Sequence, residues 1–363
     1  MGTRPEAIKL APVVTALRGR AEVHVLATAQ HRSLLDQVLR SFAIRPDSDL
    51  NLMRPDQSLD GLTARAVVGV GSVLDRVNPA IVVVQGDTTT AFVAALAAFY
   101  RRIPVAHVEA GLRTDDRYAP FPEEMNRRLV TSLAELHFAP TRVARSNLLA
   151  EGVPSNRIAV TGNTVVDALR SLVGSGGLSE PAVLRRVPSA ARLVLVTAHR
   201  RESQGAGLAG ICAGIRRIVD AHADTVVVYP VHPNPNVSRP VRRLLGRVKR
   251  VVLCKPLEYP EFVALLARAF LVLTDSGGIQ EEAPALGKPT LVLRDKTERP
   301  EAVAAGAARI VGTNPVRIAL EAGRLLGSPA AYARMARVRN PFGDGRAGVR
   351  IASALCRWLD LLP

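Results

Sequence analysis

Cysteine, lysine and aromatic residues are all scarce in this chain, and long apolar runs are absent. Cys212, Cys254 and Cys356 are its only cysteines. Their separation does not suit a metal site, and Cys212 and Cys254 sit in apolar runs, so free buried thiols are expected and a zinc site is not. No apolar run reaches the ~18–20 residues that a membrane span requires. Met1-Gly2-Thr3-Arg4-Pro5-Glu6 has no signal-peptide core, and Glu6 stands where a myristoylation signal needs Ser or Thr. A cytoplasmic protein without a membrane partner is expected. Only five of the 48 basic residues are lysine, yet the formal net charge is +16. The arginines are spread along the chain and aromatics are 4%, too few for a platform on which bases stack. A nucleic-acid partner is therefore not expected; some arginines should instead meet a phosphorylated substrate. Neither a G-x-x-x-x-G-K-[ST] loop nor a G-x-G-x-x-G dinucleotide fingerprint occurs.

What the chain does have is length and apolar content. Its 363 residues, 48% of them hydrophobic, predict two domains with ample cores. Short runs such as Ile81-Val82-Val83-Val84 are continuously apolar and β-branched, as in strands buried on both faces of a parallel sheet. Candidate strands are Val23–Ala27, Ala80–Gln85, Pro104–Glu109, Glu135–Phe138 and Ile158–Thr161. A second series is Leu193–Ala198, Thr225–Val231, Val251–Cys254, Phe270–Thr274, Thr290–Leu293 and Arg309–Val311. Helical patterns such as Thr88–Tyr100, Glu123–Ala134 and Gly277–Leu286 lie between them. The alternation predicts an α/β protein of two Rossmann-like, doubly wound domains. Their boundaries are placed at 1–170 and 191–338. The Gly- and Pro-bearing segment 171–190 reads as a linker, and 339–363 as a turn and an amphipathic C-terminal helix. Domains of this kind facing each other would hold a ligand at the C-terminal ends of their strands.

Three acidic loops mark the first half. Asp87 in Gln85-Gly86-Asp87-Thr88 falls at a strand end and is either a helix cap or a substrate-facing group. Glu109 ends an apolar strand, where a carboxylate is costly unless partnered or used. Glu123 opens a helix whose dipole already favours an acid. Three carboxylates at one edge would raise at least one pKa and supply both a proton acceptor and a donor. In the second half, His199-Arg200-Arg201 follows a strand and suits an anion, and Val231-His232-Pro233 has a similar position. Asp275-Ser276-Gly277-Gly278 joins a strand to a helix, so that free N–H groups and the positive helix end face a diphosphate. Glu282, one turn on, lies where a ribose diol could be bound. Gly2-Thr3-Arg4-Pro5 is a further glycine turn with cations at Arg4 and Lys9; it either binds phosphate or simply caps a helix.

That last turn raises a structural expectation. In a doubly wound domain a buried parallel strand runs directly into such a turn, yet only Met1 comes before it here. The first strand of the N-terminal domain is expected to be missing from the sheet. A start assigned too far downstream is the simplest explanation, and a truncated copy the alternative.

Taken in order, the blocks Gly2–Pro12, Gln85–Thr90, His107–Thr114, Pro122–Arg127, His199–Ser203, Pro230–Val237, Thr274–Gly287, Glu298–Ala302 and Asn340–Gly345 resemble the signatures of bacterial non-hydrolysing UDP-N-acetylglucosamine 2-epimerases. The resemblance implies a glycosyltransferase-B-like fold with the C-terminal helix crossing back to the first domain. It also implies a homodimer, no cofactor, and interconversion of UDP-GlcNAc and UDP-ManNAc for cell-surface polysaccharide precursors. UDP would leave C1 as the C2 proton is removed, and 2-acetamidoglucal would be the bound intermediate. By position, Asp87, Glu109, Glu123 and His199 match the catalytic groups. Arg4, Lys9, Arg113, His232, Phe262, Ser276, Gly277, Gly278 and Glu282 match the substrate-binding groups, with Phe262 near the uracil. A regulatory substrate site would draw on Gln30 and Arg200, but Ser33 and Asp56 replace the longer polar or basic side chains such a site would use. A hydrolysing epimerase, a paralogue acting on a modified UDP-sugar, and an inactive UDP-sugar sensor are the competing readings.

Overall fold

A computed structural model of the chain describes residues 1–28, 32–54 and 57–360. The chain forms two compact units, Met1–Arg170 with Phe342–Pro363, and Ser171–Pro341.

The second unit is the simpler. Its strands, the seventh to twelfth in chain order, are β7 (Arg192–Thr197), β8 (Thr225–Pro230), β9 (Val251–Cys254), β10 (Leu271–Thr274), β11 (Thr290–Val292) and β12 (Ala308–Ile310). They make one parallel sheet in the order β12-β11-β10-β7-β8-β9. Leu193, Val194, Leu195 and Val196 of β7 are all fully buried, as a strand covered by helices on both faces must be. One helical layer packs Ile211, Ile215 and Ile318 onto the sheet, and the other packs Phe262, Leu265 and Leu266. Strand order reverses between β7 and β10, which is where ligands bind open α/β sheets. Segment 171–190 is part of this unit: a helix runs through Thr164–Gly174, Ala182–Arg186 form a 3-10 turn, and Val183 is buried in the core.

In the first unit the strands fall into two groups. β1 (Leu26–Ala27) pairs in parallel with β2 (Ser48–Asp49), while β3 (Val82–Gln85), β4 (Val105–Val108), β5 (Leu136–Ala139) and β6 (Ile158–Val160) form a four-stranded parallel sheet. Helices Arg4–Leu17 and Ala347–Leu359 cover one face, placing Leu10, Val13, Ile351 and Leu355 against Ala106, Val108 and Phe138. Helices Leu59–Val77 and Thr89–Tyr100 cover the other with Val70, Leu74, Ala95 and Ala98. The C-terminal helix thus belongs to the first unit. It approaches so closely at Gly348 that a Cβ there would lie 2.8 Å from the Pro12 carbonyl oxygen. Among the described residues no helix is long and apolar enough to cross a membrane.

Candidate functional site

In the first unit the acidic residues stand at the C-terminal ends of successive strands. β3 ends at Gln85, and Gly86 turns the chain with φ +71°. Thr88, not Asp87, caps the following helix, its hydroxyl accepting from the Ala91 N–H at 3.1 Å. Asp87 is thereby left for other partners: Arg127 Nη2 donates to its Oδ2 at 2.5 Å, and Asn126 Nδ2 donates to its carbonyl at 3.0 Å. Burial raises the Asp87 pKa; Arg127 opposes that, the Glu109 charge adds to it, and Lys9 opposes it. His107 supports this turn from the middle of β4, with its Nε2 2.8 Å from the Gly86 carbonyl oxygen.

Glu109 follows β4 with φ +67°, a left-handed conformation that side chains with a Cβ adopt sparingly. Its carboxylate accepts from Lys9 Nζ, from Gln85 Nε2 at 2.5 Å and from Asn163 Nδ2 at 3.0 Å. A strained backbone overdetermined by three side chains is characteristic of sites where geometry is held for a purpose. Glu123 opens the helix Glu123–Leu133, and its Oε2 is buried without a hydrogen-bond partner. Buried acceptors are rarely left so. The same helix carries Asn126 and Arg127, so it is tied directly to the Asp87 turn. Glu124, fully buried, holds Arg127 at 3.3 Å and Arg128 at 2.8 Å from the opposite side.

The other first-unit candidates are placed as follows. Arg4 starts the first helix. Lys9 lies on Glu109. Arg113 donates to Glu151 at 2.7 and 2.5 Å and to Thr131 at 3.1 Å, so its guanidinium is engaged within the unit. Gln30 and Asp56 lie outside the described residues, as does the side chain of Ser33.

In the second unit His199, Arg200, Ser276, Gly277 and Gly278 lie directly after the two strands at the switch point, while His232 follows β8 and Phe262 and Glu282 lie within helices. The backbone N–H groups of His199 and Arg200, after β7, both donate to Asp275 Oδ2 at 2.8 Å. Asp275, after β10, is fully buried, and its Oδ1 lies 3.6 Å from His199 Nδ1. The His199 ring stacks on His232 with centroids 5.3 Å apart. Burial lowers the His199 pKa against the Asp275 charge, and His232 and Arg200 push the same way as burial. The imidazole is therefore neutral near pH 7 and can carry a proton.

The helix Gly277–Ala285 starts at the same place, with Ser276 as its N-cap residue making no side-chain cap. A Cβ on Gly278 would meet nothing within 4 Å, and one on Gly277 only the far ends of Glu298, Arg200 and Arg299 at 3.6–3.9 Å. The protein itself does not need glycine there; a group drawn close to the exposed N–H donors would. Arg200, Arg294 and Arg299 surround Glu298 and, despite its burial, lower its pKa. Glu282 is buried and accepts from the Tyr259 hydroxyl at 3.2 Å. Phe262 is 8% exposed and packs in the apolar core of this unit.

Gln85, His107, Asn126, Arg127, Asn163, Asp275 and Tyr259 hydrogen-bond to these candidates or to the turns that carry them, without having been singled out as candidates from the sequence. Asn163 and Asp275 follow strand ends as Asp87 does, and that signal could have found them. Tyr259 offers no such signal.

The fold defines the class: a two-unit α/β enzyme of the glycosyltransferase-B kind, with carboxylates at strand ends of one unit and a glycine-bearing helix start on the other. Residues 15–356 match the family described as UDP-N-acetylglucosamine 2-epimerase. The chain is 53% identical over 363 residues to the probable UDP-N-acetylglucosamine 2-epimerase of Ralstonia solanacearum, covering 98% of this chain and 96% of that protein. It is 53% identical over 362 residues to the UDP-N-acetylglucosamine 2-epimerase of Escherichia coli K12, with the same coverage. The crystal structure of UDP-GlcNAc 2-epimerase from Neisseria meningitidis bound to UDP-GlcNAc superposes with a TM-score of 0.92 at 46% identity over 98% of each chain. That of Methanocaldococcus jannaschii in complex with UDP-GlcNAc and UDP gives 0.84 at 36% identity, again over 98% of each. The chain belongs to the UDP-N-acetylglucosamine 2-epimerase family, a family of isomerases.

Proposed function

We propose that this protein interconverts UDP-GlcNAc and UDP-ManNAc by eliminating and re-adding UDP. A base takes the C2 proton, the C1–oxygen bond to UDP breaks, and a C1=C2 double bond forms, giving 2-acetamidoglucal. UDP then returns to C1 while C2 is protonated on the opposite face. No net oxidation occurs, so the route needs no nicotinamide, and the departing diphosphate can be stabilised by protein cations and N–H groups without a metal.

The observation that carries this reading is the carboxylate set of the first unit. Asp87 has a raised pKa, and Glu123 presents a buried acceptor with no protein partner. Those are the properties of groups that exchange a proton with a ligand. Asp87 and Glu123 handle the proton at C2, and Glu109 positions the sugar or shares a proton. His199, Arg4 and Lys9 stabilise the diphosphate, with Arg113 and His232 as further substrate contacts. Ser276, Gly277 and Gly278 hold UDP, Glu282 its ribose, and Phe262 supports the uracil. The working form is a cytoplasmic homodimer supplying polysaccharide precursors. Arg200 contributes to any regulatory substrate site.

Incubation of the purified protein with UDP-GlcNAc, in the presence of EDTA and without NAD, tests this reading. UDP-ManNAc should accumulate to a constant ratio. Free ManNAc would indicate a hydrolysing enzyme, and turnover of a diacetamido-uronate UDP-sugar alone would indicate a different substrate. No turnover with intact UDP binding would indicate a sensor.

A further inference from the structure

The end of β7 is fastened to both neighbouring strands by polar groups as well as by the sheet ladder. The Thr197 and Thr274 hydroxyls lie 2.6 Å apart, and the Asp275 N–H donates to the Thr197 carbonyl at 3.1 Å. Tyr229, fully buried in β8, donates its hydroxyl to the Ala198 carbonyl at 2.5 Å. The turn that carries His199 is therefore held from two sides. Asp275 braces that turn with one oxygen only. Its Oδ2 accepts from the N–H groups of His199 and Arg200 at 2.8 Å each. Its Oδ1 is buried and has no hydrogen-bond partner among the described residues. That oxygen lies 3.6 Å from His199 Nδ1.

A buried carboxylate oxygen without a donor is costly, and 3.6 Å is too long for a hydrogen bond. A small rotation of the His199 side chain, which is 40% exposed, closes the gap. Contacts of this kind are often loose until a ligand is bound. Electrostatics decide what the ring must present. An ionised carboxylate only accepts, so a lone pair on Nδ1 would be repelled by Oδ1. Nδ1 must carry the proton, and Nε2 is then the lone pair of the neutral ring. The other groups at the ring do not reverse this. His232 stacks on it, and its own Nδ1 accepts from the Asn234 N–H at 3.2 Å. Burial, His232 and Arg200 disfavour a second proton on His199, and the Asp275 charge favours it.

A lone pair at Nε2 cannot assist an anion. We propose that Asp275 is a positioning residue that fixes His199 as the Nδ1–H tautomer and lets it take a proton at Nε2 when a UDP-sugar binds. That proton comes from solvent. The Nδ1–H stays on Asp275, and the new Nε2–H donates to a diphosphate oxygen. A cation is thereby formed between two anions, the buried carboxylate and the ligand. In the free protein burial outweighs Asp275 and the ring stays neutral; the diphosphate supplies the second negative charge that tips the balance. Bracing the turn needs only one oxygen of Asp275, and this role uses the other. The proposal rests on the epimerase reading only in taking a UDP-sugar as the ligand of the second unit.

The substitution Asp275→Asn provides the test. The two backbone N–H groups keep the side-chain carbonyl at the Oδ2 position, so the amide NH2 faces His199 and imposes the opposite tautomer. NMR of the ring nitrogens in the free protein, at about pH 8, should find His199 protonated at Nδ1 in the wild type and at Nε2 in the variant. Calorimetry with UDP-GlcNAc at about pH 7.5, in two buffers of different ionisation enthalpy, counts the protons taken up. The phosphates of UDP-GlcNAc are diesters and do not titrate there. The wild type should take up about one proton per ligand bound. Asp275→Asn should lose most of that uptake and bind roughly tenfold more weakly. His199→Gln, which leaves Asp275 in place, should lose the same uptake. A wild-type ring protonated at Nε2, or uptake unchanged in His199→Gln, would overturn the proposal. A wild type that does not bind UDP-GlcNAc would contradict the epimerase reading instead, and the tautomer would still decide the role of Asp275.

Discussion

Asp87 is subject to opposing influences: burial and Glu109 favour its neutral form, while Arg127 and Lys9 favour the carboxylate. Replacing Arg127 with Gln removes the larger opposing charge, so the Asp87 pKa should rise further. Whether Asp87 acts as base or acid, the limb it controls in the pH profile of kcat/KM should move to higher pH; an unmoved profile would separate Arg127 from Asp87. Asp87→Asn and Glu123→Gln should each lower turnover about 10²–10⁴-fold, the usual contribution of a general acid or base. UDP affinity by calorimetry should stay at the wild-type value, since the residues proposed to hold UDP are other ones. Wild-type turnover in the Asp87 variant would remove that residue from the reaction. These carboxylates were legible in the sequence because an acid closing an apolar run is conspicuous. Their partners were not: Lys9 and Asn163 lie 100 and 54 positions from Glu109, and only the folded chain brings them together.

At the scale of elements, the helix starting at Gly277 separates packing from binding. With open space beside Gly278, Gly278→Ala should leave the Tm unchanged yet weaken UDP binding at least tenfold. A variant that lost stability instead would make the glycine structural. β4 and β5 carry a second device, the cross-strand pair His107 and His137. Both are buried, and burial lowers their pKa values to about 3 and about 4. Folded, they stay neutral well below pH 6; unfolded, they take up protons near pH 6.5. Their stabilisation is therefore complete above pH 6.5 and is lost as pH falls toward 4, at about 1.4 kcal/mol per pH unit for each histidine. Urea unfolding at pH 7 and pH 5 should show the loss, and His107→Gln should remove one proton's share of the slope. A slope unaltered in that variant would contradict the assignment. The strands of the second unit lie within one or two residues of the apolar runs that announce them. β1 and β3 are shorter than the runs Val23–Ala27 and Ala80–Gln85; among the described residues each pairs with a strand on one side only, which leaves less ladder to define it. β2, a polar pair at Ser48–Asp49, has no apolar run to announce it.

Over the whole molecule, the chain builds most of the first unit, then the second, and returns at Phe342 to close the first with its last helix. Strand–helix alternation made the two-unit architecture legible in advance. The return was less so, because a single amphipathic helix does not say which unit it covers; the close fit of Gly348 on Pro12 does. The central claim is chemical: carboxylates of the first unit remove and restore the proton at C2 while the second unit retains UDP. Incubation with UDP-GlcNAc in D2O, followed by proton NMR, tests it most directly. The account predicts deuterium at C2 of the UDP-ManNAc formed, and with time at C2 of the remaining UDP-GlcNAc. UDP-ManNAc that retains protium at C2 would contradict it.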